Sequence, residues 1–400
     1  MADRFPPDGG RKAGQSGVGK SGKVADFRYK HPPQPERGPP ARAWRDGGDS
    51  RFGPAGDRFA APRPRQAYAA LDLGTNNCRL LIARPAEDGF TVIDAFSRVV
   101  RLGEDLARTG RLSEAAMERT LAALHICADK LKRRNVHLAR SVATEACRRA
   151  ENGAEFIRQV QRETGIALDI ISAQEEARLA VLGCHVLLEG GDGPAVIFDI
   201  GGGSTELVLI EPDGKVPRIL DWQSVPWGVV SLTDTVGRVE GSHAERAARY
   251  AEMRRVVRDS FAPFAGRVRD RAQGAAEMRL LGTSGTVTTL ASLHLELPQY
   301  DRRAVDGLIV PAHSMRDISL RLSPMSPAER GALPCIGADR AELVVAGCAI
   351  LESIMDICPS DRLGVADRGI REGILRSLMA ADKAGEETRR ALGGGRQHHV

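Results

Sequence analysis

The sequence predicts an α/β protein made of two related domains behind a polar leader. An apolar strand, an Asp, a glycine turn and a second apolar strand occur twice, at YAALDLGTNNCRLLIAR (68–84) and AVIFDIGGGSTELVLI (195–210). Segments of helical period alternate with further apolar runs after each copy, the pattern of mixed sheets covered by helices. The first 66 residues instead show no apolar period and are rich in Gly, Pro, Arg and Asp.

That leader, residues 1–66, reads as a disordered tail. It holds 14 Lys/Arg against 7 Asp/Glu, whereas the rest of the chain holds 43 against 45. The net +5 therefore belongs to the tail, and the folded part is near neutral. A solvated tail is the ordinary reading of such charge, and a weak hold on an anionic polymer is the other. Residues 14–21, GQSGVGKS, fit the Walker A pattern. A P-loop needs a buried strand before it and a helix after it, and neither flank supplies one. The start MADRFPPDGG has no apolar h-region, so no secretory signal and a cytoplasmic protein are expected. No apolar run approaches the roughly 20 residues of a membrane span. The seven cysteines are scattered and never spaced CxxC, which points to small buried apolar residues and away from disulfides or zinc.

The first domain is expected over 67–190. Residues 67–74 and 78–84 form a strand hairpin and 90–102 a third strand. A helix follows over 113–135, with Ser113 as N-cap. Then come a strand at 139–144, a helix at 153–165 ending in Gly, a short strand at 168–172 and a helix over 173–188. GDGP (191–194) marks the boundary. The second domain, 191–380, restarts with the 195–210 hairpin. A long helix over 243–273, a strand entering a third glycine turn at 278–286, and helices at 341–357 and 370–379 complete it, the last of which is allowed to pack back on the first domain. Residues 381–400 read as a frayed end.

The second hairpin turn, Asp-Ile-Gly-Gly-Gly-Ser-Thr-Glu at 199–206, carries the clearest chemistry. Asp199 ends a strand. Gly201, Gly202 and Gly203 let backbone amides approach an oxyanion without Cβ interference. Ser204 and Thr205 add hydroxyls, and Glu206 starts the return strand. Two carboxylates beside a phosphate loop suit a hard cation such as Mg²⁺. A plain hairpin needs two turn residues and no buried Asp, so the ordinary-turn reading is weak. The first turn, with Asp72, Gly74, Thr75 and Asn76, is a modest signal alone and a strong one as the partner of the second. The third turn, with Ser284 and Gly285, fits a further phosphate contact or a simple change of direction equally well. Glu175 and Glu176 open a helix, where acids ordinarily answer the helix dipole. Phosphoanhydride hydrolysis also needs a carboxylate to orient or deprotonate water, and this helix leads into the second loop's strand.

These residues together resemble the exopolyphosphatase/guanosine-pentaphosphate phosphohydrolase (Ppx/GppA) family of the actin-like ATPase superfamily. The likeness runs from about residue 68 to 379 through DLGTNNCRLLIA (72–83), VRLGEDL (100–106), ATEACRRAENGAEF (143–156), IISAQEEARL (170–179), VIFDIGGGSTELVL (196–209), PWGVVSL (226–232), LGTSGTVTTL (281–290) and GIREGIL (369–375). The resemblance implies two actin-like (ribonuclease H-like) domains with the active site in the cleft between them. It implies Glu176 as catalytic base or water-orienting group, Asp199 and Glu206 as Mg²⁺ ligands, and Asp72, Thr75 and Asn76 as phosphate contacts. It also places Arg101 and Arg148 on basic positions near the phosphate path. Longer members continue into an HD-type helical domain; with 21 residues after Met379, none is expected here. The expected activity is release of terminal phosphate from polyphosphate. Hydrolysis of pppGpp at the same site is the alternative, and an ATPase or kinase on the same fold is the more distant one. The implied partners are polyphosphate or guanosine penta/tetraphosphate; no membrane or specific nucleic-acid site is expected, and a homodimer is left open.

Overall fold

The computed structural model describes residues 66–87, 89–191, 193–212, 216–238, 241–271 and 278–394. The leader with its Walker A match lies outside these residues. The first half of the chain forms β1 (Ala67–Leu73), β2 (Asn77–Ala86) and β3 (Gly89–Val99), then α1 (Leu106–Thr109), α2 (Glu114–Arg133) and β4 (Val136–Ala143). Next come α3 (Glu145–Arg149), α4 (Gly153–Thr164), β5 (Leu168–Ile170) and α5 (Ala173–Cys184). The second half repeats the plan with β6 (Ala195–Ile200), β7 (Thr205–Glu211), β8 (Arg218–Val225), α6 (Val229–Val236), α7 (His243–Arg271), β9 (Arg279–Thr283) and α8 (Gly285–His294). It continues through α9 (Arg302–Val305), β10 (Ile309–Pro311), α10 (Ala312–Leu322), α11 (Pro327–Gly331), α12 (Ala338–Ala341), α13 (Val344–Ile357), β11 (Arg362–Ala366) and α14 (Ile370–Gly394).

The repeat read in the sequence is a repeat of topology. One sheet has the order β3-β2-β1-β4-β5, and the other, read the same way, β8-β7-β6-β9-β11 with β10 added at the edge. In both, the first strand pairs antiparallel with its hairpin partner and parallel with the next strand inward. β1 and β6 are therefore covered on both faces, which is why they read as continuous apolar runs.

Each sheet is closed by helices. Ala69, Leu71 and Leu73 of β1 face α2 and α4, while Tyr68 and Ala70 face α5 and α14. Helix α5 is shared between the two sheets. Its Ala177, Val181 and Cys184, spaced as one helical stripe, pack on Ile197 and Val208 of the second sheet. Its Leu179 and Ala180 pack with Tyr68, Ala70 and Leu81 of the first. Ile374, Leu375 and Leu378 of α14 fill the same core, so the chain's last helix lies on the first sheet. Six of the seven cysteines are buried and all are free thiols, as small apolar residues would be.

Three differences from the sequence reading have local causes. The third strand stops at Val99 because Arg101 adopts φ 49°, and the N–H groups of Val100 and Arg101 both turn to the Asn76 carbonyl. The helix expected over 341–357 begins at Val344 as α13, because a turn at 342–343 separates it from the short α12. Helix α14 runs to Gly394 and does not end at Met379; the Tyr68 hydroxyl donates to Asp382 at 2.7 Å and ties that extension down. No helix among the described residues is long and apolar enough to cross a membrane.

Helices α5 and α14 touch backbone to backbone. A Cβ on Gly183 would sit 2.0 Å from the Gly369 carbonyl oxygen, and one on Gly373 would sit 2.0 Å from that of Leu179. Alanine favours a helix over glycine by about 1 kcal/mol, but a 2.0 Å approach to backbone cannot be relieved by a rotamer. Gly183→Ala is expected to lower the urea midpoint at unchanged m-value, with a net loss of about 1–3 kcal/mol. A midpoint equal to wild type would show that the helices can separate at no cost.

Candidate active site

The two hairpin loops open on one cleft cavity of about 390 Å³. Asp72 and Asp199 occupy the same place in the two halves, one residue before the end of β1 and of β6. Directly opposite them across each hairpin stand Arg79 and Glu206. Residues paired in this way project on one face of a sheet. The duplication has therefore kept the position and reversed its charge, giving an acid–base pair in the first loop and an acid–acid pair in the second.

The first loop is braced from behind. Asn76 O accepts from Val100 N–H (2.9 Å) and Arg101 N–H (3.1 Å), and Thr75 O accepts from Gly103 N–H (2.9 Å). Two side-chain atoms of this loop, Thr75 Oγ1 and Asn76 Oδ1, are buried with no hydrogen-bond partner. Buried polar atoms are seldom left unpaired unless a ligand or water completes them. The second loop packs against the first. A Cβ on Gly202 would meet Thr75 Cβ at 3.0 Å and Asn76 N at 3.1 Å, so glycine is what lets the two loops close on each other.

Glu176 reaches the cavity from the first turn of α5, whose N-cap Ser172 accepts from Glu175 N–H. The two adjacent acids part company here. Glu175 points out to Arg140 and Arg178. Glu176 is only 6 % exposed and accepts from Arg148 Nη1 at 2.9 Å. Arg148 is itself held by Glu145 (Nη2 to Oε2, 2.6 Å) and by the Ile171 carbonyl (2.8 Å). Glu145 also lines the cavity, so Arg148 is a fixed strut between two of its carboxylates.

Burial and mutual repulsion set the charge state. Burial first, then the nearby Glu206, pushes the Glu176 carboxyl well above its usual range, with Arg148 pulling it back. Asp199 is pushed up to about 7 by burial and then by Glu176. Glu206 is pushed up to about 7 by burial and then by Asp199, against the pull of Ser204 and of the Ser224 hydroxyl, which donates to it at 2.8 Å. Asp72 is raised too, chiefly by burial. This is a donor set in excess of its own counter-charge, which is what a hard cation offsets. Among the described residues, no three His, Cys, Asp or Glu side chains stand close enough to hold an ion alone. The set thus fits a cation that takes one or two carboxylates and draws its other oxygens from water and substrate.

Most residues read from the sequence meet in this cavity: Asp72, Gly74, Thr75, Asn76, Glu176, Asp199, Gly201, Gly202, Gly203, Ser204, Glu206, Ser284 and Gly285. Three do not line it. Thr205 is fully buried and its hydroxyl is used up on the Trp227 carbonyl at 2.6 Å. Arg101 serves the first loop through its backbone N–H, and its side chain is not part of the lining. Arg148 acts through Glu176 and Glu145, outside the lining. The sequence reading passed over Arg79, Glu145, Asp339 and Arg340, all of which line the cavity. Arg79 was accessible in principle, since it follows Asp72 by the interval that separates Asp199 from Glu206.

The family model described as the Ppx/GppA phosphatase family matches residues 81–382. Exopolyphosphatase 2 of Mycobacterium tuberculosis is 31% identical over 327 residues, covering 78% of this chain and 98% of that protein. The crystal structure of the Aquifex aeolicus Ppx/GppA family member superposes with a TM-score of 0.65 at 28% identity, over 80% of this chain and 99% of that one. An exopolyphosphatase from Cytophaga hutchinsonii shares the fold with a TM-score of 0.68 at 23% identity, over 79% of this chain and 98% of that one.

The raised carboxyls carry a pH signature. A carboxyl whose folded pKa lies above its unfolded value costs stability once the unfolded chain can ionise it, and the full cost is present above the folded pKa. For Asp199 that window runs from its ordinary 3.8 to about 7. In chelator, Asp199→Asn is expected to gain on wild type as pH rises from 5 to 8, by more than about 1 kcal/mol, the worth of one pKa unit. Thermal or urea unfolding at both pH values measures it; a gap that stays constant or narrows goes against the raised pKa.

Proposed function

The chain belongs to the Ppx/GppA phosphatase family, and on that premise we propose that its cleft removes the terminal phosphate of inorganic polyphosphate. It is a phosphoanhydride hydrolase. The observation that carries the finer reading is Glu176, a buried acid with an oriented carboxylate facing two phosphate-type loops across one cavity. Phosphoryl transfer asks little of the protein beyond positioning and charge stabilisation. In this reading the amides of Gly202 and Gly203 and the partnerless Thr75 hydroxyl take the equatorial oxygens of the terminal phosphoryl group. Glu176 holds the attacking water and accepts its proton, while Arg148 fixes the direction of that carboxylate. Asp199 and Glu206 are the residues that would hold Mg²⁺, which supplies charge neutralisation for the leaving phosphate.

Hydrolysis of pppGpp would use the same terminal anhydride. The 31% identical relative is named an exopolyphosphatase, and that weighs for polyphosphate.

Phosphate release from long-chain polyphosphate, tripolyphosphate and pppGpp, measured side by side with and without Mg²⁺, tests the reading. Polyphosphate is expected to be the preferred substrate, with activity lost in chelator. A chain that cleaves only pppGpp sinks the polyphosphate assignment, and full activity in chelator sinks the metal. Glu176→Gln is expected to cut kcat by about 10²–10⁴-fold, the range of general-base catalysis, with the fold unchanged by circular dichroism. Arg148 lowers the Glu176 pKa, so Arg148→Met is expected to move the acid limb of the kcat/KM–pH profile upward. An unmoved limb would mean that another group is the base.

A further inference from the structure

The way α6 meets the second loop assigns a task to a residue outside the cavity. The carbonyls of Gly201, Gly202 and Gly203 all turn toward this helix. Gly201 O accepts from Val229 N–H at 3.0 Å, and Gly202 O accepts from Val230 N–H at 2.8 Å and Ser231 N–H at 3.2 Å. Gly203 O accepts from the Ser231 hydroxyl at 2.9 Å. In a trans peptide the N–H of the following residue points opposite to the carbonyl. Holding these three carbonyls on α6 thus turns the amides of Gly202, Gly203 and Ser204 away from it, toward the cleft that these residues line.

The first two carbonyls are held by backbone donors that any residue could supply. The third depends on a side chain. Ser231 is buried; Gly203 O is the nearest of three carbonyls its one hydroxyl proton reaches, ahead of Pro226 O at 3.1 Å and Gly228 O at 3.4 Å, and its oxygen also accepts from Gly228 N–H at 2.8 Å. The contact leaves no room for a substitute. A Cβ on Gly228 would lie 2.4 Å from Gly202 C and 2.5 Å from Gly203 N, so helix start and loop touch through bare backbone. Removing the hydroxyl strands a buried carbonyl and a buried N–H together, and frees the Gly203–Ser204 peptide to rotate.

We infer that Ser231 is a positioning residue for phosphate hydrolysis: through Gly203 O it fixes the Ser204 amide as a donor to the phosphoryl group being transferred. The inference rests on the functional reading above. Its effect is confined to the transferred group, where charge develops in the transition state, and does not extend to the rest of the phosphate chain.

Thr233 provides a control on the same helix. Its hydroxyl is buried too, but donates to Val229 O at 2.7 Å within α6 and does not touch the loop. Ser231→Ala and Thr233→Ala are compared with wild type on tripolyphosphate and long-chain polyphosphate, well below their melting temperatures. Ser231→Ala is expected to lose about 10- to 100-fold in kcat, somewhat less than deletion of a direct oxyanion donor. The factor is expected to be equal on both substrates, with KM within about threefold, since uniform binding is untouched. Thr233→Ala is expected to keep kcat within about threefold. Three results overturn the inference: full kcat in Ser231→Ala, an equal loss in Thr233→Ala, or a loss that appears in KM alone. A wild-type chain inactive on every phosphoanhydride tried removes the functional reading and this inference with it; an active wild type with an unimpaired Ser231→Ala removes the inference alone.

Discussion

The crossing of α5 and α14 at Gly183 and Gly373 is the contact to which the rest of the molecule is referred. With no Cβ between them, the helices approach until carbonyl oxygens fill the space a methyl group would need. Helix α5 can then present one stripe to the second sheet through Ala177, Val181 and Cys184 while Leu179 and Ala180 lie in the core of the first. A helix apolar on two faces is not free to tilt, because motion that helps one core opens a void in the other. Glu176 is carried at the cleft end of this helix, one turn before Ala180. Its carboxylate is therefore aimed by two hydrophobic cores at once, and Arg148 needs only to select the rotamer.

The duplicated hairpins show how one backbone plan yields two different halves of a site. Asp72 faces Arg79 and Asp199 faces Glu206 at equivalent registers. The first loop comes close to internal neutrality, whereas the second keeps two acids that burial and repulsion lift toward neutrality of solution. A polyanionic substrate would be repelled by the second loop alone. With a cation held between the two acids, that repulsion would turn into attraction. A bound cation would offset the stability given up by burying these carboxyls.

Much of this was legible from local pattern. Strand, turn and strand have a period of their own, and the glycine run with acids at both ends needs no tertiary knowledge to read. Glu176 could be separated from Glu175 only through the resemblance, since both satisfy a helix N-terminus and the difference lies in which face meets Arg148, 28 residues earlier. The contribution of the Arg101 segment to the first loop was hidden for a related reason: it comes through N–H groups that fold onto Asn76 O, and backbone roles leave no residue-type signal. Asp339 and Arg340 arrive from a stretch of short elements, α11 and α12, whose lengths are below what hydrophobic period can detect. Thr205 carried the right chemistry in the right motif and was taken by a neighbouring carbonyl.

That last case bears on how the oxyanion cradle is built. Of the two side-chain hydroxyls in the GGGST turn, that of Thr205 is already bonded to Trp227 O. The orientation of the turn's peptides is set from the carbonyl side by α6. Helix α6 also contacts α1 of the other half of the chain. The outer wall of the second loop is therefore shared between the two halves. A displacement of α6 that opened the contact with α1 would therefore also move the donors that hold Gly201, Gly202 and Gly203.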